Sequence, residues 1–303
     1  MIYTVTFNPA LDYVMNLKEL QYKDINRTES EQLYYGGKGI NVSAILSRLG
    51  VDNIALGFLA GFSGRQIKEM LNAESINNDF VYLKKGYTRI NVKIKADEDY
   101  DINAQGPDIE ADEINALFDK LEKLQRGDFL VLAGSIPNSL PNDIYEEILA
   151  KLQNKGINFA VDATGDLLLN VLKYKPFLIK PNHHELGDIF GVEVKSKYEI
   201  AHYARKLQEM GARNVLVSRS KDGATLIDEN GEVHSMGNVP GKVINPVGCG
   251  DSMVAGFVAG YTKTHDYKYA LKLGSACGNA TAFCSGLADK ATIDLMLKSE
   301  YLK

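Results

Sequence analysis

Residues 129–161 read FLVLAGSIPNSLPNDIYEEILAKLQNKGINFAV and contain a complete strand–helix–strand unit. The apolar runs at 129–133 and 158–161 have the length and composition of buried strands. Between them Ile144, Ile148 and Leu152 recur at helical spacing, and the glycine at 156 is suited to end that helix. Two buried strands that are joined through a helix usually lie parallel in one sheet. This stretch therefore predicts an α/β fold.

The same alternation of short apolar runs and amphipathic stretches covers most of the chain. A second helix is marked by Ile114, Leu117, Leu121 and Leu124, before Gly127. Further strands are predicted at 2–7, 54–59, 177–179 and 214–218. The pattern predicts a mainly parallel central sheet that is covered by helices on both faces.

Two segments, 11–35 and 88–105, interrupt this pattern. The first is rich in polar residues, and in the second apolar and polar residues alternate through Ile90-Asn91-Val92-Lys93-Ile94-Lys95, which is typical of a half-exposed strand. We expect the two segments to pair into a small sheet that projects from a core formed by 1–10, 36–87 and 106–303. Such a sheet can close over a ligand, contact a second subunit or remain a solvated edge hairpin, and the periodicity favours none of these.

Composition excludes several classes of protein. The chain has 303 residues, 45% of them hydrophobic, and a net charge of -5, which argues against a nucleic-acid partner. No apolar run approaches the roughly 18 residues of a membrane span, and no basic-then-apolar leader begins the sequence, so we expect a cytoplasmic protein. Three cysteines, at 249, 277 and 284, lack the spacing of a disulfide framework or a zinc site.

The most informative local motif is Asn245-Pro246-Val247-Gly248-Cys249-Gly250-Asp251, which precedes a helix rich in small residues. A glycine turn at a helix N-terminus offers unpaired N–H donors and the positive end of the helix dipole, and both favour a phosphate group. Beside such an anion, Asp251 can orient and deprotonate an attacking hydroxyl. The alternative is an ordinary capped turn, which a Gly-x-Gly-Asp motif by itself would favour.

A second glycine-rich helix start, Gly36-Gly37-Lys38-Gly39, is followed by Asn41. Glycines here permit close backbone approach to a sugar, and Lys38 and Asn41 can face it, although a solvated lysine is the simpler interpretation. The chain contains no Gly-x4-Gly-Lys-Ser/Thr and no Gly-x-Gly-x-x-Gly after a strand. P-loop and dinucleotide-binding folds are therefore disfavoured.

Together the two motifs resemble the paired signatures of the PfkB carbohydrate kinases, the ribokinase-like family. The similarity runs from Met1 to the last helix and includes four further segments in the family's order: Asn8-Pro9-Ala10-Leu11-Asp12, Ala133-Gly134-Ser135-Ile136-Pro137, Lys180-Pro181-Asn182-His183-His184-Glu185 and Ser218-Arg219-Ser220-Lys221-Asp222-Gly223. The resemblance implies a three-layer α/β/α sandwich with a mainly parallel sheet and a small projecting β-sheet lid. It also implies ATP and Mg²⁺ as cofactors.

Carried over position by position, the resemblance makes Asp251 the catalytic base and residues 247–250, with Gly248, Cys249 and Gly250, the anion hole. The residues implied to bind sugar hydroxyls are Asp12, Gly36, Gly37 and Asn41. Those implied to bind the phosphate already on the substrate are Arg27, Lys38, Arg89 and Ser135, because a phosphate dianion needs cationic or hydroxyl donors. Arg27 can equally be a surface arginine.

The resemblance also implies a nucleotide site and a magnesium site. The implied nucleotide-binding residues are Lys180, Asn182, Ser218, Ser220, Lys221, Gly223, Val247, Gly248, Gly250 and Asn279. Asn182 and Glu185 match the family's Asn-x-x-Glu element and would hold Mg²⁺ through water. His183 and His184 between them are expected to point in different directions, which argues against a metal site on that pair.

Within the family, Thr88-Arg89-Ile90-Asn91-Val92-Lys93-Ile94-Lys95 and Ile102-Asn103-Ala104-Gln105-Gly106-Pro107 most resemble enzymes that phosphorylate fructose 1-phosphate at the 6-hydroxyl. Kinases of tagatose 6-phosphate are the close alternative. A non-catalytic sugar-phosphate sensor with the same fold is a second alternative, from another class. The projecting segments 11–35 and 88–105 can also clasp a second subunit, and we expect a homodimer.

Two details depart from the family pattern. Cys249 replaces the usual alanine, and a thiol beside a helix N-terminus can have a lowered pKa. The motif begins Asn245-Pro246-Val247 instead of with Asp-Thr, which puts in doubt the monovalent-cation site of some relatives. We also expect the helix N-terminus to stabilise the charge of Asp251 and so to make it a weak base.

Overall fold

The fold is described from a computed structural model, for residues 1–302. Its strands are β1 Ile2–Thr6, β2 Ala10–Asn16, β3 Ser30–Gly36, β4 Asn53–Leu59, β5 Val81–Tyr82, β6 Arg89–Lys95, β7 Asp99–Ile102, β8 Phe129–Ala133, β9 Asn158–Asp162, β10 Leu178–Ile179, β11 Asn214–Ser218, β12 Ala224–Ile227 and β13 Val233–Met236. Its α-helices are α1 Lys38–Arg48, α2 Gly61–Ala73, α3 Ala111–Leu121, α4 Ile144–Leu152, α5 Asp166–Val171, α6 His183–Phe190, α7 Lys197–Glu209, α8 Cys249–Thr264, α9 Tyr267–Ala282 and α10 Lys290–Leu297.

The central sheet has nine strands within residues 1–302, in the order β13-β12-β11-β10-β9-β8-β1-β4-β5. The strands from β5 to β11 are parallel, and β12 and β13 add antiparallel strands at one edge. All five residues of β8 are buried, because both faces of the sheet are covered. The prediction of a mainly parallel sheet is confirmed.

Helices cover the two faces of this sheet. On one face, α1 and α8 pack through side chains such as Val42, Ile45 and Phe257, together with α9 and α10. On the other face, helices α3 to α7 contribute side chains such as Leu117 and Ile148 to a second buried cluster. The predicted three-layer α/β/α arrangement is therefore confirmed. No helix in the described part of the chain is long and apolar enough to cross a membrane.

Helix ends follow the glycines in one case and not in the other. After α4, a short 3₁₀ turn leads to Gly156, whose φ of 69° is left-handed and ends the helical segment as predicted. The helix before Gly127 is shorter than predicted, because α3 ends at Leu121. Leu124 is buried in the turn that follows, where its N–H bonds to the Leu121 carbonyl.

The two interrupting segments pair into a separate sheet, as predicted. Its order is β3-β2-β6-β7, with a parallel β2–β6 pair between two antiparallel pairs. Side chains alternate between its faces. One face carries Asp12 and Asn91, which lie opposite each other in register. The other carries an apolar row that includes Leu33, Val92 and Ile102.

The topology places the strand ends and the small sheet next to each other. The chain leaves the central sheet at Thr6 and enters the small sheet at Ala10, so the two sheets meet at the carboxyl end of β1. Parallel strands present all their carboxyl ends at the same edge, and ligands of open α/β sheets bind there. Polar residues stand at these ends, among them Asp162 on β9 and Ser218 on β11.

Candidate active site

A cavity of about 830 Å³ lies at this edge of the central sheet. It is bounded by the strand ends, the small sheet and the N-terminal ends of α1, α6 and α8. The predicted site residues that line it are Asp12, Gly37, Lys38, Asn41, Arg89, Ser135, Lys180, Asn182, Glu185, Ser218, Ser220, Val247, Gly248, Gly250 and Asp251. The fold therefore brings together seven sequence segments that are far apart along the chain.

Asp251 is the most deeply buried acid of the cavity wall after Asp162. It is 6% exposed, in the first turn of α8, and its Oδ2 accepts a 2.8 Å hydrogen bond from the Asn41 side chain. Burial and the nearby Asp162 carboxylate raise the pKa of Asp251 to about 6, against the hydrogen bond from Asn41 and the charges of Lys38 and Lys180. The expectation of a weak base is wrong, because desolvation outweighs the helix dipole.

The glycines at the start of α8 leave its N-terminus open. Gly248 precedes the helix with a φ of 82°, a left-handed conformation that favours glycine, and no side chain caps the helix. A Cβ at Gly250 would stand 3.1 Å from Lys180 Nζ. The carboxylate of Asp251 bonds to Asn41 and does not cap the helix, which argues against the capped-turn alternative. Gly248 and Gly250 line the cavity, while the Val247 N–H is bonded to Asn245 Oδ1 at 3.0 Å.

Asp162 is a cavity residue that the sequence reasoning missed. It is 2% exposed, and its Oδ1 lies 3.3 Å from Lys38 Nζ and 3.4 Å from Lys180 Nζ. Burial acts against the charge of Lys38, but the Asp162 and Asp251 carboxylates outweigh it and raise the Lys38 pKa. Within the described structure Asp162 Oδ2 is buried without a hydrogen-bond partner. An acidic residue at the carboxyl end of a buried parallel strand was the available signal.

Sequence comparison assigns the family. Residues 5–293 match the pfkB family carbohydrate kinase, which is nearly the full length of the chain. The chain belongs to the pfkB family of carbohydrate kinases. The resemblance drawn from the glycine motifs is confirmed, and with it the class of enzyme, a phosphotransferase that acts on an alcohol group of a sugar.

Relatives of this PfkB kinase carry more specific names. It is 44% identical to 1-phosphofructokinase of Bacillus subtilis (strain 168) over 298 residues, which cover 98% of this chain and 97% of that one. It is 38% identical over 295 residues to D-tagatose-1-phosphate kinase of Bacillus licheniformis, covering 97% and 96%. The structure of phosphofructokinase-2 from Escherichia coli in complex with fructose-6-phosphate matches with a TM-score of 0.90 and 25% identity, covering 98% and 97%.

We expect the activity of the kinase to fall as the pH drops through about 6. A carboxylate accepts a proton when it is ionised, and the raised pKa of Asp251 places its protonation in that range. The profile of kcat/KM from pH 5 to 9 at saturating Mg²⁺ checks this. A substrate phosphate also titrates near pH 6. The Asp162→Asn variant distinguishes titration of Asp251 from titration of the substrate phosphate. Removing the negative charge of Asp162 should lower the pKa of Asp251, so a fall in activity caused by Asp251 should move to lower pH. A fall caused by the substrate phosphate should stay at the same pH.

Several predicted residues of the PfkB kinase lie outside the cavity wall. Arg27 is exposed in the loop between β2 and β3, and Lys221 is exposed in the turn after β11. Gly36 lies behind Asp12, since a Cβ there would meet Asp12 Oδ2 at 3.1 Å. Gly223 shapes its turn, with a φ of 86° and a Cβ position 2.1 Å from the Met236 carbonyl oxygen. Their functional roles remain predictions.

Both polar groups of the Asn279 side chain form hydrogen bonds within the protein. Its Oδ1 accepts from the Val239 N–H at 2.9 Å and its Nδ2 donates to the Ser275 carbonyl at 2.8 Å. The side chain is 6% exposed and joins α9 to the segment that leads to the α8 turn. It therefore supports the wall near the nucleotide motif, and direct contact with a nucleotide remains a prediction.

The thiol of Cys249 behaves differently from the expectation. It donates a long hydrogen bond, 3.7 Å, to the Asn245 carbonyl. Among the described residues, Cys249 is not one of those that line the cavity. Burial and the Asp251 carboxylate raise the Cys249 pKa to about 11. The lowered pKa expected from the helix N-terminus is therefore wrong, because burial and a neighbouring negative charge both oppose ionisation.

The predicted magnesium residues form a helix cap. Asn182 Oδ1 accepts from the N–H groups of His184 and Glu185, while Glu185 Oε2 accepts from the Asn182 N–H. Both side chains still line the cavity. The rings of His183 and His184 lie 3.9 Å apart, so the expectation that they point in different directions is wrong.

One cluster of potential metal ligands among residues 1–302 lies away from the cavity, in the β12–β13 hairpin. Asp228 accepts hydrogen bonds from the N–H groups of Asn230 and Glu232 and pairs with His234 Nε2 at 2.8 Å. These hydrogen bonds hold the β12–β13 hairpin together, which explains why the three side chains are close to one another.

Proposed function

We propose that this kinase transfers the γ-phosphoryl group of ATP to the 6-hydroxyl of fructose 1-phosphate, giving fructose 1,6-bisphosphate and ADP. The observation that supports this proposal most directly is the environment of Arg89. Its guanidinium lines the same cavity as Asp251 and donates to two carbonyls, Asn8 O at 3.2 Å and Ala104 O at 3.4 Å, and it forms no ion pair with any described residue. A cation without a carboxylate partner is suited to a phosphate on the acceptor sugar.

Each part of the cavity has a role in the proposed reaction. Asp251 accepts the proton of the 6-hydroxyl as that oxygen forms a bond to the γ-phosphorus and the bond from phosphorus to the ADP oxygen breaks. The N–H donors of the α8 start stabilise the transferring group, with Lys180 close to Gly250. A loose transition state requires positioning more than a strong base, and a carboxyl pKa near 6 is sufficient.

The names of the relatives support the position of the phosphate. The Bacillus subtilis relative is named for fructose 1-phosphate, and the Bacillus licheniformis relative for tagatose 1-phosphate. Both sugars carry phosphate on carbon 1 and differ in configuration at carbon 4. The alternative substrate is therefore tagatose 1-phosphate, in place of tagatose 6-phosphate.

The alternative of a non-catalytic sensor is disfavoured because Asp251, the open α8 start, Lys38 and Lys180 share one cavity. We place the reaction in the cytoplasm, where ATP is available.

A comparison of kcat/KM for four sugar phosphates tests the assignment. The substrates are fructose 1-phosphate, tagatose 1-phosphate, fructose 6-phosphate and tagatose 6-phosphate, each with Mg-ATP and detected through ADP release. We expect the highest value for fructose 1-phosphate. A higher value for a 6-phosphate would contradict the proposed position of the phosphate, and a higher value for tagatose 1-phosphate would change the sugar and leave the chemistry intact.

We further propose that Asp162, with Glu185 and Asn182 acting through water, holds the Mg²⁺ that accompanies ATP. The buried and unpartnered Oδ2 of Asp162 fits a hard cation that prefers oxygen ligands and retains water. When bound, the ion neutralises charge on the nucleotide phosphates. The other oxygen of Asp162, Oδ1, lies within 3.4 Å of the ammonium groups of Lys38 and Lys180.

Asp162→Asn is expected to raise the Mg²⁺ concentration for half-maximal activity by about 10-fold or more, the usual effect of losing an oxygen group around a metal. Titration of activity with Mg²⁺ at fixed ATP measures it. The exposed Asp166→Asn, in the same segment, is the matched control. An unchanged Mg²⁺ requirement in Asp162→Asn would remove Asp162 from the ion site.

The apolar face of the small sheet, defined by Leu33, Tyr13, Val92, Ile102, Met15, Ile94 and Tyr100, supports a homodimer. Across β3, β2, β6 and β7 these side chains lie in neighbouring register positions. Ile102 is 59% exposed and Leu33 is 44% exposed, so the face is open in the single chain. Contiguous exposed apolar surface of this kind marks an interaction site, and we propose a second copy as its partner.

Ile102→Lys is expected to shift the protein to monomers, because a charge in the apolar row is unfavourable to bury. Sedimentation equilibrium at assay concentration measures the change. Gln32→Lys places the same charge on the opposite face of the sheet and is the control. Wild-type protein that is monomeric and fully active would contradict the dimer.

A further inference from the structure

The side chain of Asn91 is buried between the small sheet and the cavity. It lies on β6, is 5% exposed and lines the cavity. A buried carboxamide is unfavourable unless its donors and acceptor are bonded. Its Nδ2 donates a 2.8 Å hydrogen bond to Asp12 Oδ1, and its Oδ1 accepts a 3.2 Å hydrogen bond from the Ala104 N–H. Both ends of the amide therefore have assigned partners.

The bond to Asp12 limits the orientation of that carboxylate. Asp12 lies opposite Asn91 in the parallel β2–β6 register and also lines the cavity. The other oxygen, Oδ2, is beside Gly36, where a Cβ would approach to 3.1 Å. One oxygen is therefore bonded and the other lies against a backbone without a side chain. A carboxylate fixed in this way presents its remaining acceptor sites in one direction, which is how a side chain distinguishes hydroxyl positions.

The bond to Ala104 links this carboxylate to Arg89, the arginine proposed to bind the sugar phosphate. The Ala104 N–H donates to Asn91, and the Ala104 carbonyl accepts from Arg89 Nη1 at 3.4 Å. The next residue, Gln105, is held by Asn8 in the loop after β1, because Asn8 Nδ2 donates to the Gln105 carbonyl at 2.9 Å. Asn91 thus connects the group proposed for the sugar hydroxyls with the group proposed for the sugar phosphate.

We infer that Asn91 is a positioning residue for the sugar phosphate, which orients Asp12 and fixes its distance from Arg89 through the backbone at Ala104. This inference rests on the proposed function, in which Asp12 and Arg89 bind the acceptor. Asn91 itself acts through Asp12. Its loss therefore affects sugar-phosphate binding and leaves ATP binding unchanged.

Two substitutions separate the bonds that Asn91 makes. Asn91→Asp keeps the shape and an acceptor for the Ala104 N–H, while it removes the donor to Asp12. Asn91→Ala removes both. We expect each to raise the KM for the sugar phosphate by about 10-fold or more, as for the loss of a hydrogen bond to a charged group, with the KM for ATP changed less than about twofold. Equal changes in both KM values would indicate general loss of structure and overturn the inference.

A double-mutant cycle with Asp12→Ala provides the decisive readout. If Asn91 acts through Asp12, Asn91→Asp has little further effect on sugar-phosphate KM once Asp12 is alanine. Where turnover of the double variant is too slow, the dissociation constant of the sugar phosphate replaces KM. An additive effect of the two substitutions would overturn the inference.

The cycle is measured with whichever ketose phosphate the wild-type protein turns over fastest. The proposed function is tested separately by wild-type turnover of fructose 1-phosphate. A different preferred sugar would change the proposed function. The positioning role of Asn91 would still be tested with that sugar, by whether the effects of Asn91→Asp and Asp12→Ala are additive. Additive effects on fructose 1-phosphate would reject the positioning role and leave the proposed function in place.

Discussion

Asp251→Asn is expected to lower kcat by at least about 100-fold, the lower edge of typical general-base contributions, with KM values changed little. Asparagine has nearly the same shape and can still accept from Asn41, so the cavity wall is retained. It lacks basicity and cannot take the proton of the attacking hydroxyl. Steady-state kinetics with Mg-ATP and fructose 1-phosphate measures the loss.

Two controls separate this effect from unfolding. Burial raises the pKa of Asp251, so the ionised carboxylate is unfavourable to bury, and we expect the neutral asparagine not to lower the melting temperature at pH 7. The exposed Asp119→Asn, on α3, is the matched substitution and should have wild-type kcat. Near-normal turnover of Asp251→Asn would remove Asp251 from the role of base.

Arg89→Gln is expected to raise the KM for fructose 1-phosphate by about 30-fold or more. Removing one partner of a buried, hydrogen-bonded charge pair costs roughly 2–5 kcal/mol, and the bound phosphate would be the partner that remains. Burial lowers the pKa of Arg89, but an arginine remains a cation at neutral pH. The KM for ATP should stay within about twofold, because the proposed partner of Arg89 is the sugar phosphate.

Fructose without a phosphate provides the sharpest control for Arg89. If the guanidinium binds the 1-phosphate, wild type and Arg89→Gln should use fructose equally poorly, so the effect of the substitution disappears with the phosphate. Arg65→Gln, at an exposed position on α2, should match the wild type on both substrates. An equal loss on fructose and fructose 1-phosphate would assign Arg89 a structural role instead.

Local sequence patterns predicted the architecture well. The unit at 129–161 folds as β8, α4 and β9, because strand and helix periodicity depend on neighbouring residues. The glycine motifs also located two helix starts at one cavity, since glycine is required where φ is positive or where the backbone approaches another group. The family resemblance then supplied residue roles that the spacing of residues could not give.

Properties that depend on distant residues were predicted poorly. The pKa of Asp251 is set by burial and by Asp162, and the pKa of Cys249 by burial and by Asp251, so helix-end reasoning gave the wrong direction for both. Asp162 was missed because its partners, Lys38 and Lys180, come from other segments. These are effects of tertiary structure, which a local motif does not contain.

Phosphorus NMR of the product tests the central claim most directly. Wild-type protein with Mg-ATP and fructose 1-phosphate is predicted to give ADP in equal amount to a sugar with a second phosphate monoester, on carbon 6, while Asp251→Asn gives almost none. Fructose 1-phosphate that remains unchanged, or ADP formed together with free phosphate, would contradict the account.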